Sequence, residues 1–76
     1  MNKVRRKRLE AILEQIEMIK ELLEEVKDEE QEALDNMPEN LQGSERHEAM
    51  EDAISNMESA MDSLDEAASS IEEAME

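Results

Sequence analysis

Residues 9–26, LEAILEQIEMIKELLEEV, constrain this chain more than any other stretch, because apolar side chains return there at alternating steps of three and four. Taking Leu9 as heptad position a places Leu9, Ile16 and Leu23 at a, and Ile12, Ile19 and Val26 at d. Six slots hold six aliphatic residues. A 3.5-residue period of this kind is the seam of a coiled coil, and a helix that carries it needs a partner to cover it.

Residues 44–76 supply a second seam. His47, Met50, Ile54, Met57, Met61, Leu64, Ala68, Ile71 and Met75 repeat at the same alternating steps, with Ala53, Ala60, Ala67 and Ala74 at g and Glu51, Glu58, Asp65 and Glu72 at e. Between the seams lie the only proline and the only glycine, Pro38 and Gly43. Proline disfavours helix at Met37 before it, and glycine permits a positive φ. Ser44 is a good N-cap with Glu45 in the turn after it. Pro38 can also open a short turn of its own, which would fold Leu41 over the end of the helices. The expected fold is all-α, an antiparallel helical hairpin in a single domain. Helix 1 spans about residues 3–36, the loop residues 37–44, and helix 2 about residues 45–76.

Antiparallel pairing gives facing residues a constant sum. A sum of 80 sets Val26 against Ile54, Leu23 against Met57, Ile16 against Leu64 and Leu9 against Ile71. The same register brings Lys20 near Glu58 and Lys27 near Glu51. It also sets Arg5, Arg6 and Arg8 beside Glu72, Glu73 and Glu76.

A lone hairpin of 76 residues without Phe, Tyr or Trp has little interior to bury. Leu13, Leu22 and Leu34 widen the apolar stripe of helix 1 beyond what one partner covers, and Leu22 faces the small Ala60. We therefore expect a homodimer of hairpins, a four-helix bundle. Its self-association core draws on Leu9, Ile12, Leu13, Ile16, Ile19, Leu22, Leu23 and Val26 of helix 1. Helix 2 contributes Met50, Ile54, Met57, Ala60, Met61, Leu64, Ala67, Ala68 and Ile71.

Charge narrows the choice of partner. Residues 1–8 carry five cations and no acid, whereas the remaining residues carry 23 acids against three cations. Such a body repels nucleic acid and anionic membrane and attracts basic protein surfaces. Glu14, Glu21 and Asp28 at f, with Glu58, Asp62, Asp65 and the off-seam Met18, form a candidate partner surface. Two functions follow: a non-enzymatic interaction or assembly module, or an inhibitor whose acidic face mimics DNA and blocks a basic nucleic-acid-binding protein.

Chemistry is poorly provided for. No cysteine is present, so disulfides and thiolate sites are excluded. The single histidine, His47, falls beside Glu30, but Ser44 stands where a Glu-x-x-His metal motif needs its acid. One glycine cannot build a phosphate loop, and a hairpin offers no concavity in which paired acids would be tuned. No enzyme activity, cofactor or metal is expected. Acids interrupt every apolar run, which argues against a signal peptide or membrane span and for a cytoplasmic protein.

The loop N-x-P-E-N-L-Q-G-S-E-R, residues 36–46, lies within an acidic stretch behind a basic start. In this it resembles small uncharacterised helical proteins encoded by phages and mobile elements of Gram-positive bacteria. That resemblance implies two helices about the loop and carries no activity or site residues.

Overall fold

The computed structural model describes all 76 residues. Helix α1 spans Lys3–Asp35, a single 3-10 turn spans Glu39–Leu41, and helix α2 spans Glu45–Ala74. The two helices pack antiparallel into a rod of 60 × 15 × 12 Å. The hairpin expected from the repeats is the fold observed.

Local chemistry explains where each helix starts and stops. Asn2 caps α1, its side-chain oxygen accepting from the Arg5 backbone N–H at 2.8 Å. Ser44 caps α2 by accepting from the His47 N–H at 3.2 Å, and Glu45 and Glu48 follow as first-turn acids that favour a helix N-terminus. Pro38 opens the 3-10 turn, and Gly43 takes a φ of +81°, the only positive φ in the chain. Leu41 remains 45 % exposed, so it rests beside the end of the hairpin and does not seal it.

The packing departs from expectation on one helix. On α2 every seam residue from His47 to Met75 is buried or half-buried, with Ile54 alone reaching full burial at 7 % exposure. On α1 the half-buried residues are Leu9, Leu13, Ile16, Lys20, Leu23, Lys27, Glu30 and Leu34, which occupy a and e. The d residues Ile12, Ile19 and Val26, together with Leu22 at g, remain exposed, as do Ala60 and Ala67 of α2. Thus α1 is rotated by about one heptad position relative to the a/d seam read from its aliphatic pattern. The cause lies on α2, whose acids occupy e and whose alanines occupy g. Turning α1 toward e carries the Lys20 and Lys27 stems over the acidic edge, where the chains cover apolar surface and the ammonium groups stay wet.

Ion pairing shifts accordingly. Lys20 pairs with Asp65, one heptad beyond the expected Glu58. Lys27 approaches only its neighbour Asp28, at 4.0 Å. Glu51, expected opposite Lys27, instead lies 2.7 Å from His47 Nδ1 on its own helix, so His47 meets Glu51 and not Glu30.

Two substitutions test this account. Ile54→Ala empties the best-covered position and is expected to destabilise the fold by about 2–5 kcal/mol in thermal or urea unfolding. Gly43→Ala meets open space, with no atom within 4 Å of the added Cβ. Its cost of about 1 kcal/mol is then backbone strain alone, and Gly43→Asn should cost less.

Candidate interaction surface

The Lys20–Asp65 pair settles which edge of the hairpin is which. It joins e of α1 to e of α2, so the opposite edge is built from d and g of α1 beside g of α2. Along that open edge α1 presents Ile12, Ile19, Leu22 and Val26, between 42 % and 56 % exposed, flanked by Met18 at 63 %. Their order is again a heptad: Ile12, Gln15, Ile19, Leu22, Val26, Glu29, Ala33 step by three and four. Helix α1 therefore carries two seams. The hairpin covers one, and nothing in the chain covers the other.

Helix α2 carries a counterpart that residue-by-residue reading missed. Positions c and g hold Ala49, Ala53, Asn56, Ala60, Ser63, Ala67, Ser70 and Ala74. All eight are small and uncharged in a chain of which 41 % is Asp, Glu, Lys or Arg. The alanine repeat at g was visible in the sequence. The c strip beside it is less legible, because serine and asparagine are ordinary residues of a solvated surface.

The ends of the rod differ. At one end Arg6 Nε donates to the Met75 carbonyl oxygen at 3.1 Å. The basic segment thus meets the C-terminus of α2 through a carbonyl that the helix leaves unsatisfied, where its dipole is negative. None of Arg5, Arg6 and Arg8 forms an ion pair with Glu72, Glu73 or Glu76, contrary to the sequence expectation. Arg5 and Arg8 instead line a shallow groove of about 220 Å³ with Met1, Leu9 and Ile12, which continues the open seam. At the other end a groove of about 240 Å³ lies among Ala33, Met37, Pro38, Leu41 and Met50. Residues 28–52 around it hold ten carboxylates and one arginine.

The acidic candidates divide. Glu14, Glu21, Glu58 and Asp62 are exposed and unpaired, Asp28 is exposed with Lys27 at 4.0 Å, and Asp65 is held by Lys20. No three His, Asp or Glu side chains converge as metal ligands, and no helix is long and apolar enough to cross a membrane.

Lys20 is the one group whose titration is clearly displaced. The hydrogen bond from its ammonium to Asp65 raises its pKa above the ordinary 10.5 and outweighs the opposing desolvation. A raised folded-state pKa stabilises the fold fully below the unfolded value and loses that contribution as pH climbs through the raised one. Melting temperature is therefore expected to lose this contribution only as pH rises beyond the ordinary lysine value of 10.5. Asp65→Asn should melt lower at neutral pH and show a flatter decline above that value.

Comparison with known proteins finds no matching family model, no matching curated protein and no matching solved structure, so the case for function rests on the chemistry of these surfaces.

Proposed function

We propose that this protein is a non-enzymatic helical assembly module that acts by self-association, two hairpins closing into a four-helix bundle. The observation that carries this reading is the second apolar seam of α1, left open on a chain with one fully buried residue. Size supports it. The chain exposes 5859 Å², whereas a compact monomer of its mass exposes about 4,800 Å². The surplus of about 1,100 Å² matches the scale of a standard interface, about 800 Å² per partner. Each exposed Ile or Leu brought out of water contributes about 1–2 kcal/mol, which a hairpin with so small a core needs.

A second reading is favoured by the exposed carboxylates. Glu14, Glu21 and Asp28 recur at seven-residue intervals, about 10 Å apart along the helix, on a face turned away from the open seam. That face suits a basic, nucleic-acid-binding protein. Such binding would weaken steeply with salt and would be lost in a Glu14→Gln, Glu21→Gln, Asp28→Asn variant that still self-associates.

Light scattering during size exclusion checks the leading reading. The expected mass is twice the 8.8 kDa of the chain, and Leu22→Glu should shift it to a single copy by placing a charge in the seam. A wild-type chain that stays fully helical at one copy's mass at high micromolar concentration would end the proposal.

A further inference from the structure

Self-association leaves the arrangement of the copies open, and charge separates the possibilities. Two hairpins can meet face to face with their loops at the same end, α1 of each lying on α2 of the other. Alternatively the loops lie at opposite ends, α1 lying on α1 and α2 on α2. Resting on the self-association reading, we propose the second: a two-fold dimer in which the open seams of α1 pair antiparallel about a centre at Ile19.

Three observations carry it. The first is the order of residues along the open seam. Arg5 and Arg8 stand at its start, the aliphatic run from Ile12 to Val26 at its middle, and Glu29 near its end with Glu32 beside it. Read against itself in reverse about Ile19, this order sets Ile12 over the partner's Val26 and Ile19 over Ile19, and brings Arg5 and Arg8 nearly level with the partner's Glu32 and Glu29. Arg5, Arg8, Glu29 and Glu32 make no ion pair within the chain, so all four are available.

The second is the polarity of the rod. The loop end holds ten carboxylates against Arg46, and the opposite end holds the five cations of residues 1–8. Loops at the same end would bring twenty carboxylates together. Loops at opposite ends separate the two acidic ends by most of the 60 Å length and bring each toward a basic end.

The third is independent of charge. A two-fold axis across the face must cross α1 and α2 at the same height. Lys20 beside Asp65 and Arg6 beside Met75 set the level of Ile19 at residues 62–66 of α2. The repeat Ala53, Ala60, Ala67, Ala74 has its midpoint between residues 63 and 64. One axis therefore centres both strips, large residues meeting large on α1 and small meeting small on α2, which lets the α2 helices approach more closely. Met18 then lies on the rim of the α1 contact, which accounts for its exposure within one hairpin.

Spin labels on the outer f positions, at Lys7→Cys and separately at Glu21→Cys, test the arrangement in the full chain. At 1.5 Å rise per residue the antiparallel dimer separates the two Lys7 labels by about 36 Å along the axis and the Glu21 labels by only about 6 Å. Short and equal separations at both positions would overturn the arrangement while leaving self-association standing. Absence of any interchain coupling, with a one-copy mass by light scattering, would overturn self-association itself. A charge exchange gives a second readout. Arg5→Glu with Arg8→Glu should weaken association about tenfold, although acids in the first turn favour α1 itself. Adding Glu29→Arg and Glu32→Arg should restore it to within about threefold, and failure of that rescue would count against the proposed pairing.

Discussion

A single helix–helix contact governs this structure, and such a contact can cover only one strip of each helix. Two α-helices touching along one line leave roughly half of every seam residue facing outward, which is why Ile54 alone reaches full burial. The limit is geometric and does not depend on how apolar the residues are. Within it, the chain must choose which strip of α1 to cover, and it covers the one that includes Lys20, Lys27 and Glu30 while leaving Ile12, Ile19, Leu22 and Val26 outside. A one-sided contact tolerates charged residues in its seam because their heads reach solvent at the edge. A contact enclosed on both sides does not. The strip suited to enclosure is the one left open.

Charge acts along the rod where apolar pattern acts around it. The uneven distribution of the carboxylates gives the rod a direction. Each local pairing is weak. Lys20 with Asp65 is solvent-accessible on the acid side, and Lys27 has only a 4.0 Å approach to its neighbour. Exposed pairs of this kind set register and orientation more than they add stability.

Much of this architecture was legible in the sequence because it depends on local signals and on periodicity. Ser44, Gly43 and Pro38 each impose a backbone requirement that neighbours cannot override, and the break between helices fell where they stand. The seam of α2 was also legible, since only one strip of that helix is apolar and large. On α1 the pattern was ambiguous: a, d and e all hold aliphatic residues, so periodicity alone admits an a/d or an a/e contact. What decides between them is the facing helix, with acids at e and alanines at g, and a single-helix pattern contains no information about it. The constant-sum register failed at Lys20 for the same reason, because the rotation of α1 moves its edge against a different heptad of α2. Asn2 is less legible as a cap, because five cations follow it where a helix N-terminus favours acids.

The two seams of α1 also bear on how folding and assembly are connected. The covered seam contains three charged residues among its half-buried positions, so it specifies a hairpin without making that hairpin very stable. The open seam holds the better apolar residues but lies on a surface that a lone hairpin cannot shield. Under the pairing proposed here, the first contact positions the second: only a closed hairpin aligns the α1 aliphatic strip with the α2 alanine strip at one height. The second contact then returns most of the burial free energy to a fold that supplies little of its own, and stability rises with concentration as association removes unpaired copies from the unfolding equilibrium. Under that pairing the weak covered seam and the strong open one form a single arrangement, in which the hairpin would serve as the template and the bundle as the stable state.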